Sequence, residues 1–157
     1  MGRFIRDWGE LARELEQARA SRKVVFTNGC FDLLHVGHVR YLQEARAQGG
    51  LLLVGVNSDA SVRRLKGPER PLQGEADRAE ILAALAAVDF TAIFPQDTPL
   101  ELIQAIRPDV LVKGGDWAPD RIVGGPFVLS YGGEVRSLSF IDGRSTTAIV
   151  RAIAQKK

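Results

Sequence analysis

Phe26-Thr27-Asn28-Gly29-Cys30-Phe31-Asp32-Leu33-Leu34-His35-Val36-Gly37-His38 joins a short apolar run, Val24-Val25-Phe26, to a segment whose residues Val39, Leu42 and Ala45 recur at helical spacing. The pattern predicts a strand from Val24 to Thr27, a glycine-bearing turn, then a helix to about Gln48, stopped by Gly49-Gly50. A turn of this kind bares backbone N–H groups at a helix N-terminus, where an anion such as phosphate binds well. His35 and His38 are the only histidines of the chain, and their spacing puts them on one face of the helix start. Gly37 between them has no side chain to block a close ligand. A lone histidine reads first as a cap or a core filler. A pair flanking a glycine, in a strand–turn–helix setting, reads as a ligand site.

Outward from this stretch, strands and helices alternate. Leu51-Leu52-Leu53-Val54-Gly55-Val56 is an unbroken apolar run, as in a strand buried on both faces of a parallel sheet. A helix from Ala60 to Leu65 follows, then a basic, proline-bearing loop from Lys66 to Leu72 and an Ala/Leu-rich helix from Asp77 to Ala87. Val88 to Phe94 reads as a third strand, Leu100 to Arg107 as a helix with Pro99 at its start, and Asp109 to Lys113 as a fourth strand. Val128 to Tyr131 is ambiguous, Glu134 to Phe140 is a fifth strand, and Ala148 to Ala154 is the last helix. At the N-terminus, Ile5, Trp8, Leu11, Leu15 and Ala18 predict an amphipathic helix from Phe4 to Ala20, so that residues 1–22 pack on the sheet. The expected architecture is α/β: a single, doubly wound, Rossmann-like parallel sheet of about five strands, with all 157 residues in one domain.

Several residues have two readings. Asn57-Ser58-Asp59 either caps the following helix or faces a ligand beyond a strand's C-terminal end. Arg78 is a cation in a first helical turn, against the helix dipole; it is either a solvated surface arginine or a functional one turned outward. Gly114-Gly115 after Lys113 and before Asp116 is a plain turn or a polar cradle that a ligand approaches closely. Trp117 stacks on a base or sugar, or covers the core. Ser145, Thr146 and Thr147 exceed what capping needs and can also hold phosphate. Cys30, the only cysteine, excludes an intrachain disulfide; it reads as a small residue in a tight turn rather than a nucleophile.

Composition narrows the function classes. The chain is 45% hydrophobic and 25% charged, the make-up of an ordinary soluble protein. Its net charge of +2 is small and its basic residues are dispersed, so nucleic acid is not an expected partner. No apolar run approaches the ~20 residues of a membrane span, and the charged N-terminus has no signal-peptide core. The expected location is the cytoplasm.

With its flanks, the His-x-Gly-His string resembles the nucleotidyltransferase superfamily that carries that motif, which includes cytidylyltransferases and pantetheine-phosphate adenylyltransferase. Thr27 to Asp32 resembles more particularly the adenylyltransferase domain of bacterial ADP-heptose synthesis, a domain often fused to a sugar kinase. Asn57-Ser58-Asp59, Arg64-Leu65-Lys66-Gly67, Arg70-Pro71, Lys113-Gly114-Gly115-Asp116 and Ser145-Thr146-Thr147 look like the same branch. The likeness therefore runs from Val24 to about Ile153. Gln73 to Asp77 departs from the pattern, which loosens the assignment carried onto Arg78.

The resemblance implies transfer of AMP from ATP to a heptose 1-phosphate, with pyrophosphate leaving, in the synthesis of ADP-heptose for lipopolysaccharide core. The implied catalytic residues are His35, His38, Lys66 and Arg78. Thr27, Asn28, Gly29, Cys30, Phe31, Gly37, Lys113, Gly115, Asp116, Ser145, Thr146 and Thr147 would bind ATP. Asn28, Asp32, Asn57 and Asp59 would bind the sugar phosphate. Mg²⁺ would ride on the phosphates, since no carboxylate cluster looks like a protein-built metal cage. The expected form stands alone, with a separate heptose kinase in the pathway, no nucleic-acid or membrane partner, and a homodimer as the base-rate assembly. Two alternatives stay open: a cytidylyltransferase acting on glycerol 3-phosphate or another small phosphate, and a non-catalytic nucleotide-binding module. A dinucleotide-dependent dehydrogenase is disfavoured, because the first turn lacks Gly-x-Gly-x-x-Gly.

Overall fold

The structure, a computed structural model, describes residues 1–139 and 144–156. The predicted strand end at Phe140 lies outside them. One parallel sheet of six strands forms the centre: β1 (Arg3–Phe4), β2 (Lys23–Gly29), β3 (Gly50–Asn57), β4 (Phe90–Phe94), β5 (Val110–Gly114) and β6 (Glu134–Leu138). Their spatial order is β1-β4-β3-β2-β5-β6. The helices are α1 (Trp8–Ala18), α2 (Val36–Ala47), α3 (Asp59–Lys66), α4 (Glu75–Ala83), α5 (Leu100–Ile106), α6 (Gly125–Ser130) and α7 (Thr146–Ala154).

The doubly wound parallel sheet matches the expectation; the strand count is six rather than about five. The added strand is β1, whose Arg3 and Phe4 pair with Phe90 and Thr91 of β4. Two residues are too few to show the alternation of a strand, and Ile5 happened to fit the helical spacing of Trp8 and Leu11. The boundary is set by Asp7, whose carboxylate accepts from Glu10 N and caps α1. The helix therefore starts at Trp8 rather than Phe4. The ambiguous run at Val128 belongs to α6, which buries Val128.

Apolar layers cover both faces. On one, Leu11 and Leu15 of α1 and Leu102, Ile103 and Ile106 of α5 pack on Val24, Phe26, Leu51, Leu53 and Leu111. On the other, Tyr41, Leu42 and Ala45 of α2 and Ala79 and Leu82 of α4 pack on Val25, Leu52, Val54, Val56 and Val112. Consecutive strand residues thus alternate between two cores, which is why the strands read as continuous apolar runs. At the end of the sheet remote from the glycine turn, Asp109 accepts from Val24 N, and Asp89 accepts from Leu52 N.

From β2 the chain moves through β3 to β4 on one side, then returns to place β5 on the other. The order reverses between β2 and β5. Ligands of open α/β sheets bind in the crevice at the carboxyl ends of strands flanking such a reversal. Asn28-Gly29 ends β2 there, and Lys113-Gly114 ends β5.

Candidate active site

A cavity of about 400 Å³ occupies that crevice, walled by Asn28 through Asp32, His38, Lys66, Lys113, Thr146 and Thr147. A second, of about 390 Å³, adds His35, Gly37, Arg144 and Ser145 and shares His38, Lys66, Thr146 and Thr147 with the first. A third, of about 350 Å³, shares Asn28, Gly29, Cys30, Lys66 and Lys113 and extends to Asn57, Asp97 and Thr98. The turn after β2 and the start of α7, far apart in sequence, thus face one space.

Local backbone chemistry shapes the turn. Phe31 adopts a left-handed conformation, φ 48°, rare for a residue with a side chain and a mark of stored strain. Its ring folds back over Gly29, where a Cβ would lie 2.9 Å from it. The same ring meets His38 edge-on, with centroids 5.2 Å apart. His35 is the extended N-cap of α2, and the His38 backbone N–H donates to His35 O at 2.9 Å. The two imidazoles stack, with centroids 3.9 Å apart and planes 25° apart. Gly37 has a further reason to lack a side chain: its Cβ would lie 2.8 Å from His35 Nδ1. The His35 ring occupies that room.

Burial pushes the His38 imidazole down to about 4, aided by the neighbouring His35 and Lys66. Burial, then Arg144, lowers His35 as well. Both rings are therefore held toward neutrality. Both Nδ1 atoms are buried with no hydrogen-bond partner among the described residues. An orphaned N–H costs more than an orphaned lone pair, so the proton belongs on Nε2, leaving each ring one donor to give. Lys66 ends α3 and Lys113 lies on β5; neither has an ion-pair partner among the described residues. Burial raises the Cys30 thiol, which keeps it protonated and fits the small-residue reading.

Several expected contacts are spent elsewhere. Arg78 is neither solvated nor turned outward: it is 1% exposed, beneath the turn. Its Nη1 donates to Cys30 O at 2.6 Å, Nε to Gln73 O at 3.0 Å, and Nη2 to Asp59 Oδ1 at 2.7 Å. That occupies Asp59 too. The helix-dipole cost of Arg78 is offset by three acceptors that a sequence cannot display. Asp32 walls the cavity, yet its carboxylate takes Arg70 Nη1 at 2.8 Å and the N–H groups of Leu72 and Gln73. Burial works to raise the Asp32 pKa, but those donors outweigh it and hold the carboxyl below its usual range. Ser58 is the cap of α3, accepting from Ser61 N, while Asn57 donates to Ser61 Oγ and lines the third cavity. Thr27 is buried, its hydroxyl 2.7 Å from the Tyr41 hydroxyl. At β5 it is Gly114, not Gly115, that lines the main cavity; Asp116 is exposed. Trp117 is 51% exposed and does not cover the core.

At the last helix, Ser145 caps by accepting from Ala148 N, and Thr146 donates to Leu33 O. Thr147 is exposed on the cavity wall. Asp142-Gly143, expected to lead into this helix, lies outside the described residues. Among the described residues, no three His, Cys, Asp or Glu side chains come together as a metal cage. No described helix is long and apolar enough to cross a membrane.

Sequence reasoning gave Tyr41, Arg70 and Arg144 no role in the site and Gly114 only as half of a turn or cradle, yet all four line these cavities. Tyr41 was findable, since it follows His38 by one helical turn. Arg70 was not, because only the fold carries its loop over Asp32.

The chain is 65% identical over 138 residues to bifunctional protein HldE of Geotalea uraniireducens, covering 88% of this chain and 28% of that protein. It is 55% identical over 154 residues to bifunctional protein HldE of Magnetococcus marinus, covering 98% of this chain and 32% of that one. The chain thus spans about a third or less of the length of these curated relatives. Among solved structures, it resembles the lipopolysaccharide core biosynthesis protein from Thermoplasma volcanium, with TM-score 0.61 and 25% identity over 77% of this chain and 98% of that one. It shares a fold with pantothenate synthetase from Thermus thermophilus, with TM-score 0.59 and 15% identity over 96% of this chain and 70% of that one. The family model described as cytidylyltransferase-like matches residues 26–129, from the turn-bearing strand β2 into α6. With two thirds of its length matched and the histidine turn at the reversal of the sheet, the chain belongs to the cytidylyltransferase-like family.

Proposed function

We propose that the chain transfers AMP from ATP to a heptose 1-phosphate, giving ADP-heptose and pyrophosphate. The observation that carries it is the convergence, on two adjoining cavities that share His38, Lys66, Thr146 and Thr147, of the stacked His35–His38 pair, two lysines without ion-pair partners among the described residues, and the hydroxyl-rich start of α7. Neutral N–H donors beside unneutralised cations suit a polyphosphate. Adenine and heptose rest on the resemblance of Thr27–Asp32 and Lys113–Asp116 to the ADP-heptose branch, supported by the relatives above.

In the reaction, an oxygen of the sugar phosphate attacks the α-phosphorus of ATP. The bond from that phosphorus to the bridging oxygen breaks, and its electron pair leaves with pyrophosphate. No net proton is consumed, and no protein nucleophile is needed; positioning and electrostatics do the catalysis. His35 and His38 donate to the triphosphate through hydrogen bonds that strengthen as charge moves onto the leaving group. Lys66 lines all three cavities and Lys113 the first and third, and they compensate the phosphates of both substrates. Thr146 and Thr147 bind phosphate oxygens at the helix N-terminus. Arg78 holds the turn from beneath, through Cys30 O. Mg²⁺ would be held by the triphosphate and would supply charge neutralisation there; Asp32, the carboxylate on the main cavity's wall, already accepts from three N–H donors. The sugar phosphate itself calls for a kinase acting earlier.

The test is pyrophosphate release, assayed with ATP or CTP against heptose 1-phosphate and glycerol 3-phosphate. Activity is expected with ATP and the heptose phosphate; His38→Ala should lower turnover by about 10²–10³ with the fold kept. Preference for CTP, binding without pyrophosphate release, or a near-normal rate in that variant would refute the reading.

A further inference from the structure

We propose that Arg70 binds the leaving pyrophosphate portion of the nucleotide, with Asp32 as its positioning residue; this rests on the nucleotidyl-transfer reading above. Arg70 sits in the loop between α3 and α4 and lines the main cavity with His38, Lys66 and Thr147. One edge of its guanidinium is fixed, Nη1 donating to Asp32 Oδ2 at 2.8 Å. Nε and Nη2 have no partner among the described residues. The side chain is 23% exposed, against 4% for Asp32. A planar guanidinium gripped on one edge presents its remaining N–H groups at a fixed angle, which suits the paired oxygens of a phosphate.

Asp32 does more than neutralise it. Its oxygens also accept from Leu72 N at 2.8 Å and Gln73 N at 3.1 Å, and Gln73 Nε2 donates to Asp32 O. The loop is tied to the histidine turn through this residue, and again through Arg78, which donates to both Gln73 O and Cys30 O. Three N–H donors of the protein already occupy the Asp32 carboxylate, and its role is to aim Arg70. Arg70 lines the main cavity, together with His38, Lys66 and Thr146–Thr147 at the start of α7, and neither the second nor the third. It therefore shares a wall with the residues assigned above to the triphosphate. As the electron pair of the breaking bond passes to pyrophosphate, Arg70 donates to the oxygens that gain charge, with no proton transferred.

The experiment measures binding of ATP, inorganic pyrophosphate and AMP, each with Mg²⁺, to the full chain and to Arg70→Met and Arg70→Lys. Loss of hydrogen bonds to a charged group predicts ATP and pyrophosphate binding weaker by about 10–100-fold in Arg70→Met, AMP binding unchanged, and partial recovery in Arg70→Lys. Asp32→Asn should weaken ATP binding in the native background and add little on top of Arg70→Met. A purely structural Asp32 would cost the same in both. Equal loss of AMP and ATP binding overturns the proposal, as does a rise confined to the KM of the sugar phosphate. Should the variants not fold, crystals of the native chain soaked with pyrophosphate and Mg²⁺ decide: phosphate oxygens within hydrogen-bond reach of Arg70 support it, and pyrophosphate elsewhere sinks it. A native chain that neither binds ATP nor releases pyrophosphate would instead refute the function proposed above.

Discussion

Replacing Arg78 by methionine separates a buttress from a phosphate ligand. Met keeps much of the length and apolar volume but removes three donors that serve Cys30 O, Gln73 O and Asp59 Oδ1. The side chain is 0% exposed, so water does not reach the guanidinium; Asp59 is 30% exposed, so water relieves part of its loss. Breaking a buried pair by removing one partner costs about 3–5 kcal/mol. The partial exposure of Asp59 places this case near the low end, about 3 kcal/mol. For a chain of this size that is a fall in Tm of roughly 6–12 °C.

Thermal unfolding followed by circular dichroism reads the Tm, and urea titration checks that the slope of stability with denaturant stays constant. Arg78→Lys should fall almost as far, because one ammonium on a flexible stem does not serve three acceptors on separate segments. Adding Asp59→Asn should cost less on top of Arg78→Met than alone, since the carboxylate has already lost its partner. A fall below about 1 kcal/mol in Arg78→Met, with ATP binding sharply reduced, would refute the reasoning. It would mean that Arg78 reaches the nucleotide in solution.

Gly37→Ala puts a methyl group 2.8 Å from His35 Nδ1, so the imidazole must swing aside. Turnover should fall about 10–100-fold, while Tm holds or rises because alanine is the better helix residue; unchanged turnover would show that His35 needs no fixed position. The pH dependence of stability tests the His38 environment. Its folded pKa of about 4 lies below the ordinary 6.5, so the unfolded chain takes up the proton first as pH falls. Its contribution to stability is whole above pH 6.5 and is lost progressively down to about 4. Tm measured against pH should therefore fall less steeply across that window in His38→Gln than in the native chain, and parallel curves would contradict it.

Legibility in the sequence tracked the length scale of the interactions. The central strands were readable because burial on both faces leaves uninterrupted apolar runs, as at Leu51–Val56. The histidine pair was readable because its geometry is set within one turn of one helix. β1 was not, since two residues carry no period and its stability comes from pairing with β4. Asp32, Asp59 and Arg78 were assigned through the family resemblance, the aspartates to the sugar phosphate and Arg78 to catalysis. What uses them is loop-to-loop bonding across sequence separations of 19 to 48 residues. The same chemistry that could grip a substrate grips the protein, and only the fold decides which.

That division has a consequence for catalysis. A turn that holds Phe31 at positive φ and stacks two imidazoles is costly to maintain. Arg78 from below and the Asp32–Arg70 loop from the side supply the restraint, each bonding to the backbone or side chain of the turn. In the reaction proposed above, the groups facing the cavity would divide the work. Lys66 and Lys113 bring charge that draws a polyanion at any protonation state of the histidines. The neutral imidazoles contribute little attraction until charge shifts onto the oxygens they face. Donors of that kind favour the transition state over the bound substrate, which is the condition for raising turnover rather than affinity alone.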